Sequence, residues 1–293
     1  MRRMTLLHLS LLLALPLLVA WTPPSLPLPR LPSEAGKAAD IATKTGVKAI
    51  RAAREMSDSE EHYLGRAVAA RILGRYPLYQ NPEATQYVNQ VGQAVARKSS
   101  RPNTFRGYHF AVLDTGEANA FACPGGIILV TRGLVKTCAN EDQLAAVLAH
   151  EVSHVANKDG LNSISQARWT EVLTTAGTET ARQFGGGIGG SLVNLFEGAI
   201  DDVFKTIVVN GYSRAAEEAA DRDAVSVLGR AGYNAGALTA ILNQMSSQAG
   251  SGGLARTHPP TGERLAKVRT LAGESRPDPK EAGREQRFKQ QKF

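Results

Sequence analysis

The sequence predicts an α+β fold, mostly helical with a small sheet, and three observations carry that expectation. Apolar residues recur at helical spacing in several stretches that begin with capping residues, as in "SDSEEHYLGRAVAARILGRY" from Ser57 and "SRAAEEAADRDAVSVLGRAG" from Ser213. Two short runs, "YHFAVLD" from Tyr108 and "GGIILVTRG" from Gly125, have strand composition instead. Finally, 293 residues at 43% hydrophobic content can bury a core, in one large domain or two small ones.

In chain order, the first twenty residues read as an export signal. Arg2 and Arg3 form a charged start, Leu6 to Ala20 is apolar, and Ala20 is a small residue suited to cleavage. The mature protein is therefore expected outside the cytoplasm, in the periplasm. An uncleaved anchor is the alternative; no Cys follows that would take a lipid. Residues 21 to 56, Pro-rich and then rich in Ala and Lys, read as a leader, and the compact domain is expected from Ser57 to residue 272. Its first helix starts in the Ser/Asp cluster at Ser57 and buries Leu64, Val68 and Ile72; a second runs from Pro82 to Lys98. The two β runs follow, with "EANAFACP" between them as a short extended segment and a Pro-Gly-Gly turn leading into the second.

Asn140 caps the next helix, with Gln143 three residues on as in a capping box; Leu144, Val147, Leu148 and Val155 form its buried stripe, and Gly160 ends it. Residues 161 to 212 are helix-permissive but interrupted by "GGGIGG" at 185 to 190, read as a flexible connection. Further helices begin at Ser213 and span Ala235 to Gln248. Past residue 20 no stretch of eighteen uninterrupted apolar residues occurs, which excludes a polytopic membrane enzyme.

The formal charge of +7 is concentrated at the ends: the segment from Ser275 to Phe293 holds six Lys/Arg against three Asp/Glu. Residues 273 to 293 are expected to be a solvated, flexible basic tail, with peripheral contact to an anionic membrane as its other use. No aromatic-interleaved basic face or phosphate loop points to nucleic acid, and no motif speaks to an oligomeric state. Cys123 and Cys138 lack metal-ligand spacing and read as small buried residues, although an exported protein could pair them.

The chemistry begins in "AAVLAHEVSHVANK", where an apolar helix carries His150, Glu151 and His154. Four-residue spacing stacks the two imidazoles about 5–6 Å apart on one face, where they can converge on an ion, while Glu151 projects beside them toward a water on that ion. Catalytic zinc takes three protein ligands as a rule, so a third must come from elsewhere. His8, His62, His109, His258 and the carboxylates are candidates; Glu217 and Asp221, one turn apart, offer a ligand and an acceptor for the outer N–H of a ligand histidine.

This HExxH run, the SRxxExxAD pattern of "SRAAEEAAD", the later "THPPTGER" and the upstream "NAFACPGGIILVTRGL" resemble the zinc metallopeptidases that include HtpX, the CAAX prenyl proteases and the soluble periplasmic BepA-like enzymes. The resemblance covers residues 57 to 272, with the four motifs in that family's order. It implies a gluzincin-type domain, mostly helical, with a small β-sheet beside the active-site helix. It implies His150, His154 and Glu217 as ligands of one Zn²⁺ per chain, Glu151 as general base and Asp221 as the aspartate behind a ligand histidine, with Glu218 the alternative in another register. Asn119 and Ala120 would lie on an edge strand that pairs with an extended polypeptide substrate, and His258 would approach the metal from the far side. The sequence departs from the membrane branch in lacking its spans, and it stops too soon after His258 to hold a tetratricopeptide domain.

The implied reaction is hydrolysis of peptide bonds in misfolded or client envelope proteins, with Glu151 moving the proton and His258 or Arg264 donating to the oxyanion. As a fourth ligand, His258 would instead hold the enzyme latent; a loop that serves both ends leaves resting activity low. The rival from another class is an envelope quality-control chaperone or scaffold that seldom cuts; the intact Glu151 favours the enzyme.

Overall fold

The computed structural model describes residues 56–164, 188–247, 253–259, 261–273 and 278–293, all within one compact unit from Val47 to Phe293. The expected signal at 1–20, and the leader up to residue 55, lie outside the described residues. Helix α1 (Asp58–Leu73) starts where the sequence expects, at Ser57, whose side chain takes the Glu60 N–H while the Glu60 carboxylate takes the Ser57 N–H. Such a reciprocal cap is worth about 1 kcal/mol. Helix α2 (Pro82–Ala96) is capped by Asn81, with Pro82 at the first position, where the missing N–H costs nothing.

Three strands follow, β1 (His109–Leu113), β2 (Ala120–Cys123) and β3 (Ile127–Thr131), in the spatial order β1-β3-β2. β3 pairs parallel with β1 and antiparallel with β2. The Pro124–Gly126 turn between β2 and β3 needs Gly125 at φ 75, a left-handed conformation, and brings it against the backbone of His62 on α1. The outer edge of β1 is taken: Tyr79 N–H donates to the Val112 carbonyl and Asp114 N–H to that of Pro77. β2 is therefore the edge that turns toward the rest of the fold.

Because strand side chains alternate, the sheet feeds two cores. Phe110, Val112, Ala120, Ala122, Ile128 and Val130 pack on one side with α2 and the helices that follow. Leu113, Phe121, Cys123 and Leu129 pack on the other with Leu64, Val68 and Ile72 of α1. Helix α3 (Arg132–Thr137) leads to α4 (Glu141–Ala156), capped by Asn140 as expected. The structure buries more of α4 than the stripe read from sequence: Ala145, Ala146, Ala149 and Val152 are buried too, since α4 runs through the middle of the molecule. Short α5 (Asp159–Asn162) follows through Lys158 at φ 56. Helix α6 (Ile188–Lys205) starts inside the glycine run, so Ile188 to Gly190 are helical and not a connection; the start of that run lies outside the described residues. A π turn (Thr206–Asn210), α7 (Arg214–Ala231), α8 (Gly236–Ser247), α9 (Leu254–Thr257) and α10 (Gly262–Ala272) complete the helices around α4. Among the described residues, no helix is long and apolar enough to cross a membrane. Cys123 and Cys138 are free and buried, and burial pushes both thiols up, that of Cys138 to about 12.

The basic segment at the C-terminus corrects the expectation of a solvated tail. Residues Glu281–Lys289 form helix α11, which lies against the start of α4. Asp142, buried in the first turn of α4, takes Arg284 Nε at 2.9 Å, and buried Glu141 takes Arg287 Nη2 at 2.8 Å. Phe288 and Phe293 pack around Tyr87. Composition shows the cations but not the buried acids that need them. Arg284→Ala leaves Asp142 buried without its cation and is expected to cost about 3 kcal/mol of unfolding free energy, read from denaturant titration. A loss within a few tenths would mean that α11 is only loosely applied.

Candidate active site

Helix α4 presents His150 and His154 one turn apart, with ring centroids 4.6 Å from each other and perpendicular planes. Each imidazole has a carboxylate beside its outer nitrogen. His150 Nδ1 is 3.1 Å from Asp221 Oδ1, and His154 Nδ1 is 2.8 Å from Asp159 Oδ2. In the neutral tautomer that donates to these carboxylates, both Nε2 lone pairs turn inward, and the two Nε2 atoms lie 3.1 Å apart. Helix α7, capped by Ser213, brings in Glu217: Oε2 is 3.5 Å from His150 Nε2 and Oε1 is 3.5 Å from His154 Nε2. His258, just past α9, closes the group, with Nδ1 2.9 Å from Glu217 Oε1 and 3.3 Å from His150 Nε2.

The ligand atoms of His150, His154, Glu217 and His258 all lie within 4.8 Å of one another, and all four residues are buried. Lone pairs facing each other at this range in a dry site repel unless a cation or proton sits between them. The donor set, imidazole nitrogen with one carboxylate, fits a divalent transition metal.

The electrostatics of these side chains agree. Burial alone would lower the pKa of His150, but its hydrogen bonds to Asp221 and Glu217 outweigh that and carry it to about 10. For His154, burial is likewise overcome by Asp159 and Glu217, and the net shift is upward. Burial would raise Glu217, yet His258 and the hydrogen bonds from His150 and His154 hold it well below the usual carboxylate range. Asp221 is lowered to about 2 against the effect of burial, by His150 and Arg264. The pocket is thus built for positive charge at its centre.

Glu151 lies beside this centre, 1% exposed, with neither carboxylate oxygen hydrogen-bonded among the described residues; His258 Nε2 is 3.7 Å from Oε1. Of the two neighbours on α7, Glu217 lies in this group, while Lys267 of α10 draws Glu218 outward at 2.8 Å. Arg264 corrects another expectation. Its guanidinium is committed to Asp221 through Nε and Nη2, at 2.7 and 2.8 Å, to Glu217 Oε2 at 2.7 Å and to the Pro259 carbonyl at 3.0 Å. A buried arginine between two buried carboxylates fixes them; it does not reach out to a reacting carbonyl.

Asn119 and Ala120 lie where β2 begins, and both are buried. Asn119 pairs inward, exchanging hydrogen bonds with Thr131. Three outward groups of the edge already have partners: Ala118 C=O accepts Leu254 N–H at 2.7 Å, Ala120 N–H donates to Asn119 Oδ1 at 2.9 Å, and Tyr212 O–H reaches Ala122 C=O at 3.5 Å.

Two contributors escape sequence reasoning. Asp159 reaches His154 because Lys158, left-handed, turns the chain back; the Asn-Lys-Asp-Gly run at the helix end was the available signal. Tyr212 stacks on His154 with centroids 4.2 Å apart and planes 24° off parallel, and burial followed by Glu151 pushes its phenol well up. An aromatic just before a helix cap carries no signal of such a role.

Residues 82–272, from the start of α2 to the end of α10, match the family model described as peptidase family M48. The beta-barrel assembly-enhancing protease of Escherichia coli (strain K12) is 28% identical over 234 residues, 76% of this chain and 46% of that protein. Its counterpart in Yersinia pestis is 27% identical over 252 residues, 82% of this chain and 48% of that protein. The HtpX protease homolog of Salinibacter ruber is 29% identical over 187 residues, 55% of this chain and 67% of that protein. The chain spans about half the length of the assembly-enhancing proteases it matches. A family match over most of the folded unit, on a site with this donor set, is what membership requires: the chain belongs to peptidase family M48.

Proposed function

We propose that the protein is a zinc-dependent endopeptidase of the bacterial cell envelope that hydrolyses misfolded or client envelope proteins. The observation that carries this reading is the convergence of His150, His154 and Glu217 on one buried point with the unpartnered carboxylate of Glu151 beside it. Ligand atoms held about 2.0–2.1 Å from a tetrahedral zinc are about 3.3 Å apart. The separations of 3.1 Å between the two Nε2 atoms and 3.5 Å from each to Glu217 fit that ion. The names of the assembly-enhancing relatives, together with the export signal read from residues 1–20, support the envelope as the setting.

His150, His154 and Glu217 would hold the metal, which when bound supplies Lewis acidity toward a water and the scissile carbonyl. Asp221 and Asp159 keep the two imidazoles turned inward, and Arg264 holds Glu217 and Asp221 in register. Glu151 takes the proton of the attacking water and returns it to the leaving amine. The β2 edge at Ala120 pairs with an extended substrate once Leu254 and Tyr212 release it.

Purified protein is expected to carry about one zinc per chain. Glu217→Ala should lose most of it, and Asp221→Asn should weaken zinc binding by about ten- to a hundredfold. Elemental analysis and competition with a chelating dye measure both. Full zinc content in Glu217→Ala would overturn the ligand assignment, and failure of zinc-loaded protein to cut any unfolded model protein, even with His258 replaced, would favour the scaffold reading.

A further inference from the structure

Five large apolar side chains are exposed among the described residues, and two of them, Tyr63 and Phe105, flank a single buried ring. The His62 imidazole lies 5.7 Å from each, centroid to centroid. Phe105 and Arg106 form the tip of a β-turn closed by Gly107 N–H on the Thr104 carbonyl, and the Arg106 guanidinium stands 5.3 Å over the Phe105 ring. Arg66, one turn after His62 on α1, and His109 at the start of β1 are exposed around it.

This face is cationic without local compensation. Among the described residues neither Arg66 nor Arg106 has a carboxylate partner, and the nearby acids are engaged elsewhere: Asp58 and Glu61 bind Arg101, and Glu60 caps Ser57. Burial lowers the pKa of His62, and Arg66, Arg106 and His109 lower it further, as a local positive field requires. The Nδ1 of His62 is buried and has no partner among the described residues.

We propose that this face docks on an anionic phospholipid surface, with Phe105 and Tyr63 entering the headgroup region and Arg66 and Arg106 meeting phosphates. Two aromatic rings bury at most about 500 Å² together. That is short of the roughly 800 Å² per partner of a stable protein interface, whereas a turn tip carrying a ring and a cation suits the interface of a bilayer. The C-terminal cations are poor candidates for the same contact, because Arg284 and Arg287 are neutralised by Asp142 and Glu141 and Lys289 pairs with Glu285.

The test uses the full chain carrying Phe105→Trp, with the fluorescence of the unsubstituted protein, which comes from Trp21 and Trp169, subtracted from that of the variant. Vesicles contain brominated phosphatidylcholine, alone or in equal parts with phosphatidylglycerol. The indole at 105 should be quenched on the anionic vesicles and released by salt, and adding Arg66→Gln and Arg106→Gln should weaken binding roughly fivefold per cation, about twenty-five-fold for the pair. Leu271→Trp, at a residue 48% exposed on α10, should report no quenching. Equal quenching on both vesicle types, or at 271 as at 105, or no effect of the two arginines, would overturn the proposal. Hydrolysis of a soluble unfolded protein is expected to be unchanged by the arginine substitutions, so this inference and the peptidase reading stand or fall separately.

Discussion

Glu151→Gln is expected to lower hydrolysis of an unfolded protein by roughly two to four powers of ten while leaving zinc content at the wild-type level. Glutamine keeps the shape of the side chain and removes only the group that can take a proton. Both oxygens are buried and accept no hydrogen bond among the described residues, so the carboxylate is not used there to hold a neighbour in place. An unpaired buried carboxylate ordinarily costs stability, and a neutral amide of the same size relieves that cost. The variant should therefore melt at the same temperature as the wild type or slightly above it. Measuring turnover, metal content and melting on one preparation separates the two accounts: a drop in all three would make Glu151 a structural group, whereas a drop in turnover alone fits the general base.

That residue was legible because its setting is expensive. Three titratable groups inside the apolar run of α4 demand a reason, and helical spacing alone puts His150 and His154 on one face. Glu217 was legible only as one of two neighbours, since a sequence gives spacing along α7 but not which way the helix is rotated; the choice against Glu218 rests on Lys267, 49 residues further along the chain. Arg264 was visible as a charge and assigned to the wrong task because its partners, Asp221 and Glu217, meet it only after α7 and α10 have packed. The same blindness made a loose tail of α11. Composition records cations, and burial of Glu141 and Asp142 in the first turn of α4 decides where they go. The sheet was easier: β1 and β3 are β-rich runs, and "EANAFACP" supplied β2 because its alternating side chains are buried on both faces.

His258→Ala is expected to raise hydrolysis, about tenfold or more, at matched zinc occupancy. Gly253, at φ 61, lies so close to the Ala118 carbonyl that any side chain there would collide with it, and Leu254 N–H bonds the same carbonyl. α9 then delivers His258, 3% exposed, with Nδ1 2.9 Å from Glu217 Oε1 and 3.3 Å from His150 Nε2, among the candidate ligand atoms. One short segment thus brings His258 into the group of candidate ligands and covers part of the β2 edge; on the proposed reading the first is a fourth ligand and the second the place where a substrate strand would pair. If the open arrangement is a minor state of up to about a tenth of the population, removing the imidazole frees the metal position and loosens the cover on β2 together. An oxyanion donor predicts the opposite, a fall of about two to three powers of ten. The comparison is made on an unfolded model protein with wild type, His258→Ala and Gly253→Ala, the last disturbing the segment while keeping the imidazole. A rise in both variants places the latency in the segment as a whole; a rise in His258→Ala alone places it in the ligand, and equal rates in all three would remove the segment from control of the site.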